Sequence, residues 1–303
     1  GLAGLTSEEV RRLWLALGFA QPTDDEVVFT DGDLIALSEL RRVPHLGPDG
    51  LDDAVGLARL VGESFARISE ALVRLLQVRV AQQLADEDAP DVGIAVALAA
   101  VAAGSELGTI DELLTYAWKR HLAAAIRRAA LRGADETEEP PQCVGFVDIA
   151  GFTRLAARVD HSHLARVLDG FQAAAYRAAV VRGSRIVKTV GDEIMFVTDT
   201  PDVGLTVAME LAQGFEFQGE CIDVHVGIAW GGVLARDGDF YGETVNIASR
   251  LCDAAPARGV LLDRPTRDAL EAGEHGPMGT YAPTQAPGLG EIDAWLVMAP
   301  DGP

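Results

Sequence analysis

The sequence predicts an α+β protein, with an all-α domain in residues 1–133 and a mixed α and β domain in residues 143–303. Apolar residues recur at helical spacing through the first part. Short apolar runs of strand character alternate with amphipathic segments in the second part. A segment rich in acids and proline, residues 134–142, separates the two and is predicted to be a linker.

Composition limits the classes of function. An apolar content of 49% is ample for packed cores and excludes a disordered chain. The net charge of -21 argues against nucleic acid as the main partner, because phosphate binding needs a basic surface. The three cysteines have no metal-binding spacing, which suits a reducing compartment. With no recognisable signal peptide and no apolar run long enough for a membrane span, we expect a cytoplasmic protein.

The first domain opens with helix signals. Thr6 and Glu9 have the spacing of a capping box, in which each residue satisfies a backbone N–H of the other. Apolar residues at helical intervals follow them. Thr23 and Glu26 repeat the same spacing before another apolar run. Two helices are therefore expected in the first part of this domain.

Two longer helices are expected next. Residues 51–85 form a long helical stretch, for which Gly62 suggests a break. Thr109 and Glu112 again have capping-box spacing, and we expect them to begin a helix that runs to about Arg132. This domain contains no convincing strand pattern.

The second domain begins with six segments in the order strand, helix, strand, strand, helix, strand. They are residues 143–149, 161–181, 184–190, 193–197, about 203–213 and 222–230. Gly191 and Asp192 form a turn signal between the two consecutive strands. This order is that of a ferredoxin-like fold. The remaining elements are expected at residues 244–252 (helix), 260–262 (strand), 265–271 (helix) and near 295–297 (strand).

Two aspartates stand where chemistry is expected. Asp148 ends the first strand, and Gly151 and Thr153 follow it, so a metal ligand would lie beside backbone N–H groups that can bind phosphate. Alternatively, Asp148 only caps the next helix, and Asp192 only makes a good turn. In a ferredoxin-like sheet the first strand lies beside the hairpin, so the two carboxylates can converge and hold two Mg²⁺ ions.

Three further polar residues stand out. Asn246 and Arg250 are four residues apart and therefore share one face of a predicted helix. Lys188 lies on the strand that precedes the turn. The alternative reading of all three is structural, as a solvated helix face and an exposed strand cation.

Three segments resemble the signature segments of class III adenylyl cyclases, in the same order and at ordinary separations. They read FVDIAGFT, VKTVGDEIMF and DFYGETVNIASRL. The resemblance covers roughly residues 142–298. It implies that ATP is the substrate and that the ribose 3′-hydroxyl attacks the α-phosphate to give 3′,5′-cyclic AMP and pyrophosphate. Because the substrate supplies the nucleophile, no Ser-His-Asp or Cys-His arrangement is required.

The resemblance also implies a role for each matching position. The metal site, for two Mg²⁺ or Mn²⁺ ions, contains Asp148, Ile149 and Asp192. Substrate binding is assigned to Lys188, Asp239, Gly151, Phe152 and Thr153. The catalytic pair is Asn246, which orients the ribose, and Arg250, which stabilises charge on the phosphate. In the family one catalytic domain supplies the metal aspartates and another supplies the purine and transition-state residues. This chain carries both sets, so we expect a homodimer.

The purine pair favours ATP on chemical grounds. Adenine offers an acceptor at N1 and a donor at N6, which match the Lys188 donor and the Asp239 acceptor. Guanine presents the opposite pattern, and a mismatch leaves buried polar groups unpaired. A guanylate cyclase is the alternative that this pair opposes. The other alternative is a catalytically silent dimer that serves as a sensor or scaffold.

One departure from the family concerns the triphosphate. Many relatives carry lysines just before the final strand, whereas residues 286–290 of this chain contain no cation. Arg264 is a candidate substitute. Because of this departure, a catalytically silent dimer stays an alternative.

The first domain is expected to regulate, to dimerise or to bind a partner. Its organisation resembles that of actinobacterial class III cyclases whose helical regulatory domain is linked to pH sensing. Residues 29–80 also resemble a MerR-type helix-turn-helix, which the net charge opposes. A small regulatory ligand, such as protons or a lipid, is left open.

A basic segment ends the first domain. Its cations are Lys119, Arg120, His121, Arg127, Arg128 and Arg132. Such charges suit the C-terminal end of a solvated helix. The alternative is a transducing helix in which His121 titrates near neutral pH.

Overall fold

The computed structural model describes residues 6–20, 32–33, 35–36, 50–86, 106–132, 140–270, 278–286, 288 and 290–299 of the 303-residue chain. The chain divides into two compact units, Gly1–Gly133 and Ala134–Pro303. In the part that is described, no helix combines the length and apolar character needed to cross a membrane.

The first unit contains helices α1 (Ser7–Ala16), α2 (Leu51–Asp86) and α3 (Glu106–Arg132). The capping box predicted for α1 is confirmed. The Thr6 hydroxyl accepts from the Glu9 N–H at 3.2 Å, and the Glu9 carboxylate accepts from the Thr6 N–H at 2.6 Å. Leu13 of α1 is buried against the beginning of α2. The cap spacing at Thr23 lies outside the described residues.

The break expected near Gly62 is wrong, because α2 continues through it. A Cβ atom at Gly62 would lie 2.4 Å from the Leu17 carbonyl oxygen, just beyond α1. The glycine therefore permits close approach of the two segments and does not end the helix.

The predicted start of α3 is also wrong. The helix begins at Glu106, so Thr109 and Glu112 lie within it and not at its N-terminus. The intervening Gly108 is tolerated, since one glycine inside a helix is disfavoured by only about 1 kcal/mol relative to alanine.

The second unit is built on a seven-stranded sheet. Its strands are β1 (Gln142–Ile149), β2 (Arg185–Val190), β3 (Glu193–Thr198), β6 (Val224–Gly231), β9 (Gly259–Leu262), β10 (Gly279–Ala286) and β11 (Gly290–Met298). Their order across the sheet is β10-β11-β9-β6-β1-β3-β2. The pairing of β6 with β9 is parallel, and the others are antiparallel.

Helices and two small ribbons complete this unit. The helices are α4 (Phe152–Ala156), α5 (His161–Val180), α6 (Pro201–Ala212), α7 (Glu243–Ala254) and α8 (Arg264–Leu270). The ribbons pair β4 (Phe215–Phe217) with β5 (Glu220–Ile222), and β7 (Leu234–Arg236) with β8 (Asp239–Tyr241).

The predicted ferredoxin-like core is confirmed. In chain order it comprises β1, α5, β2, β3, α6 and β6, and its four strands lie side by side as β6-β1-β3-β2. The single strand expected over residues 222–230 is instead two, because β5 ends at Ile222 and β6 begins at Val224. Strand β10 was not predicted, because its sequence GTYAPTQA has little apolar alternation, and its register is irregular between Tyr281 and Thr284.

The two faces of the sheet carry different helices. Side chains alternate along a strand, so Val147 and Ile149 of β1 pack with α5 and α6, whereas Val144 and Phe146 pack with α7. Helix α7 lies very close to β6, since a Cβ at Gly227 would be 2.2 Å from the backbone nitrogen of Cys252. This face, with α7 on it, carries the candidate site.

Candidate active site

Asp148 lies next to the last residue of β1, on the sheet face that carries α7. It is directly opposite Glu193 of β3 on one side and His225 of β6 on the other. Directly opposite residues of paired strands place their side chains on the same face. Asp148, Glu193 and His225 therefore form a row across three neighbouring strands.

The carboxylates of Asp148 and Asp192 are close enough to share a hydrogen bond. Asp192 is in the turn between β2 and β3, where Gly191 adopts a φ of 63° that favours glycine. Burial, and then the charge and hydrogen bond of Asp192, raise the pKa of Asp148 to about 7. The structure thus brings together the two aspartates that the sequence predicts to converge, and their role as metal ligands stays a prediction.

The donor set of this pair fits a divalent cation. Two half-buried carboxylates supply the hard oxygen ligands that Mg²⁺ and Mn²⁺ prefer. The side chain of Ile149 is buried in the core, so only its main-chain carbonyl is available as a ligand. Over the described ranges, no three His, Cys, Asp or Glu side chains are grouped to hold a metal. A cation here would need water or substrate phosphates for its other ligands.

The segment after β1 presents backbone N–H groups. Gly151 precedes α4 and has a φ of 71°, in the left-handed region. The Phe152 side chain packs against the core, and Thr153 is exposed. First-turn N–H groups have no acceptor within their own helix, so those of Phe152 and Thr153 can serve a phosphate.

Lys188 and Asp239 form an ion pair. The Lys188 ammonium donates to the Asp239 carboxylate at 2.6 Å, which joins β2 to the β7–β8 ribbon. The other carboxylate oxygen of Asp239 accepts from the Phe240 N–H at 2.8 Å. The proposed purine-binding residues are therefore adjacent, and the carboxylate is held by its own backbone.

Helix α7 presents the proposed catalytic pair. Asn246 and Arg250 are both exposed, one helical turn apart. The Arg250 guanidinium donates to the carboxylate of Asp253 at 2.8 Å. Arg250, which is proposed to contact phosphate, thus pairs with an acidic residue of its own helix.

Glu193 and Asp253 were not among the predicted site residues. Burial, followed by the charges of Asp253 and Asp192, raises the pKa of Glu193, whereas Lys188 and Arg250 act in the opposite direction. Glu193 therefore lies within electrostatic reach of both proposed sets of residues. The strand pattern contains a signal for it, because residue 193 shares a face with the buried Met195.

Arg264 does not join this group of residues. Arg264 pairs with Asp293 and lies, with Arg267, over the ring of Trp295. Trp295 packs with the α5 and α6 core, so Arg264 lies on the sheet face opposite α7. The proposal that Arg264 replaces the missing lysines stays a prediction, and the Arg264 guanidinium is paired with Asp293 in this structure. His121 is exposed on α3 of the first unit.

Comparison with known proteins identifies the second unit. Residues 136–297 match the family described as the adenylate and guanylate cyclase catalytic domain. The adenylate cyclase of Glutamicibacter nicotianae is 30% identical over 99% of this chain and 77% of its own length. The adenylate cyclase of Streptomyces coelicolor is 31% identical over 99% of this chain and 84% of its own.

Among solved structures, the catalytic core of a rhodopsin-guanylyl cyclase with converted specificity, in complex with ATPαS, is 24% identical. The matched region covers 54% of this chain and 98% of the chain of that structure, with a TM-score of 0.49.

Proposed function

This chain belongs to the family of class III adenylate and guanylate cyclases, and we propose that it converts ATP into 3′,5′-cyclic AMP and pyrophosphate. The observation that carries the choice of ATP is the Lys188–Asp239 ion pair. The names of the two relatives that match nearly the whole chain support the same substrate.

The ion pair offers adenine the partners it needs. Lys188 provides a donor for N1, and Asp239 provides an acceptor for the N6 amino group. The Phe240 N–H holds the Asp239 carboxylate in place before substrate arrives, so the side chain loses little conformational freedom when substrate binds. Guanine would place its N1–H against the ammonium and its O6 against the carboxylate, and both mismatches leave polar groups unpaired.

Asp148 and Asp192 would hold the divalent cations, with the Ile149 carbonyl as a further ligand. A bound Mg²⁺ or Mn²⁺ supplies charge that favours ionisation of the ribose hydroxyl and neutralises the phosphates. The N–H groups of Phe152 and Thr153 bind phosphate oxygens beside that site. The raised pKa of Asp148 supports the assignment, since a carboxylate pair that resists ionisation alone gains from a cation.

Arg250 and Asn246 of α7 act on the reacting atoms. Arg250 donates to the phosphate oxygens on which charge develops, and Asn246 orients the ribose. Arg250 must leave Asp253 to do so, which is easily reversed because an exposed ion pair contributes about 0–1 kcal/mol.

We propose that the sites are shared across a homodimer and are regulated by residues 1–133. One chain would supply Asp148 and Asp192 to a site completed by Lys188, Asp239 and α7 of its partner. The exposure of Asn246 and Arg250 supports this arrangement, since they can reach a second chain. His121 is the proposed sensing residue of the regulatory part, and an unchanged pH–activity profile in His121→Ala would count against it.

A direct assay tests the proposal. The purified full chain is incubated with ATP or GTP and with Mg²⁺ or Mn²⁺, and the products are separated by chromatography. We expect cyclic AMP from ATP and much less cyclic GMP from GTP. Cyclic GMP as the main product would replace this function with that of a guanylate cyclase. If a verified dimer forms no cyclic product, the alternative that remains is a catalytically silent sensor or scaffold.

A further inference from the structure

His225 lies beside the proposed metal ligand Asp148. The two residues are directly opposite each other on β6 and β1. Opposite residues have Cβ atoms about 5 Å apart and side chains on the same face. Glu193, the other acid of this row, is one strand further away, so Asp148 is the nearer carboxylate to the His225 ring.

The His225 ring has a polar atom with nothing to bind. Its Nδ1 is buried and has no hydrogen-bond partner within the described part of the chain. The contact with α7 uses the backbone instead, as the Cys252 thiol donates to the His225 carbonyl at 3.4 Å. A buried donor or acceptor without a partner is unfavourable, so such an atom calls for one.

Asp148 also has Asp192 as a neighbour, whose charge and hydrogen bonding act on its pKa. A carboxylate has two oxygens with about four lone-pair positions, so Asp148 can hold a divalent cation together with Asp192 and still accept from a donor on another side. The Nδ1 of His225 has no partner in the described residues and lies on the strand directly opposite.

We propose that His225 is a positioning residue for Asp148, donating from Nδ1 to its carboxylate when that carboxylate holds a divalent cation. This inference rests on the proposed function, because it assigns Asp148 to the metal. Donors of this kind orient a ligand and tune its affinity for the cation, and removing them weakens binding by about 10- to 100-fold. His225 would therefore act through Asp148 and would not touch the substrate.

The test compares three substitutions in the full chain. His225→Asn keeps an N–H group near the position of Nδ1, His225→Gln keeps one near Nε2, and His225→Leu removes both. His161→Leu, at the exposed start of α5, is the matched histidine control. Binding of Mn²⁺ alone is followed by electron paramagnetic resonance of the free ion, and folding by circular dichroism.

We expect His225→Leu and His225→Gln to bind Mn²⁺ at least about tenfold more weakly than wild type, and His225→Asn to stay within about threefold. Cyclase turnover by His225→Leu should recover at high Mn²⁺, with the KM for ATP unchanged there. Rescue by Asn but not by Gln is a result that loss of ring packing alone would not produce.

Three results would overturn the proposal. They are normal Mn²⁺ binding by folded His225→Leu, equal weakening in the Asn and Gln variants, and absence of Mn²⁺ binding by the wild-type chain. The comparison of Asn with Gln stands even if the Leu variant fails to fold. Cyclic AMP formation by wild type tests the proposed function separately, so an active wild type with a normal His225→Leu variant rejects only the role of His225.

Discussion

The Lys188 ammonium lies 2.6 Å from the Asp239 carboxylate, so two residues 51 positions apart in the chain form one unit. Their side chains are 37% and 26% exposed, and an exposed pair of this kind adds only about 0–1 kcal/mol to stability. Its value is therefore functional, as a donor and an acceptor held side by side. Replacing these two residues should change the choice of nucleotide far more than the stability of the fold.

Reversing the hydrogen-bond pattern of this pair should shift the enzyme toward GTP. Lys188→Glu supplies an acceptor for guanine N1–H, and Asp239→Asn supplies a donor for O6. We expect the ratio of kcat/KM for ATP to that for GTP to fall by about 100-fold or more in the double variant, since each unpaired group costs about 1–3 kcal/mol. Lys188→Met is the control and should lose ATP turnover without gaining GTP. An unchanged nucleotide preference would refute the assignment of this pair.

Two inactive variants should restore activity when mixed. Asp148→Ala removes a proposed metal ligand, and Arg250→Ala should lower kcat by about 10²- to 10³-fold. In a shared-site dimer, random mixing makes half of the dimers mixed, each with one intact site, so the mixture should reach about a quarter of wild-type activity. Cyclic AMP formation after subunit exchange measures it. A mixture that stays inactive argues for sites contained within one chain.

Metal binding should weaken as the pH falls below neutral. The pKa of Asp148 is raised to about 7 by burial and by Asp192, so protons compete with the cation below that pH. We expect Mn²⁺ affinity to drop by about tenfold per pH unit there. Calorimetric titration at several pH values measures the slope. An Mn²⁺ affinity that stays constant from about pH 5 to pH 7, the range in which Asp148 is expected to bind its proton, would contradict the raised pKa.

In the metal-free chain, Asp148 should contribute more to stability at acidic pH than at neutral pH. Asp148 has a higher pKa when folded than its ordinary value of 3.8, so the folded state binds more protons than the unfolded state. Its contribution to stability is therefore present at low pH and is lost as the pH rises from 3.8 to about 7. Urea unfolding with a chelator should show a smaller decline in Asp148→Asn. Because burial raises the pKa of Glu193 and Asp263 too, only this comparison isolates Asp148.

Adding a methyl group beneath α7 should impair the site. In Gly227→Ala the new Cβ would lie 2.2 Å from the Cys252 backbone nitrogen, so α7 must move and carry Arg250 with it. We expect a loss of about 1–3 kcal/mol in the free energy of unfolding, and a clear fall in kcat. Gly232→Ala is the matched control, since nothing lies within 4 Å of its Cβ. Thermal unfolding and turnover would be measured together. Equal behaviour of the two variants would show that α7 has room to shift.

Local patterns predicted much of the second unit. Apolar alternation and the Gly191 turn located the β2–β3 hairpin, and helical spacing located α5 and α7. These signals act over a few residues, so the sequence contains them directly. Strand β10 was missed because it has little apolar alternation, and its backbone hydrogen bonds come from β11.

Long-range contacts decided two further points that the sequence could not. Gly62 looked like a helix break because glycine weakens a helix, but it is required by the approach of Leu17. The sheet places Arg264, with Trp295, on the face opposite α7, a position that the sequence did not indicate. Neither contact involves residues near each other in the chain.

The sequence by itself determined which groups are present: the two aspartates, the Lys188–Asp239 donor and acceptor, and Asn246 and Arg250 at helical spacing. It also determined the family, because three segments carry those groups in order. Only the tertiary structure decided which groups meet. The order of strands puts Asp148 beside Asp192, and its register puts Glu193 and His225 in the same row. The physical reason is that a strand's own pattern assigns side chains to alternate faces, whereas backbone pairing with distant strands decides what lies opposite them.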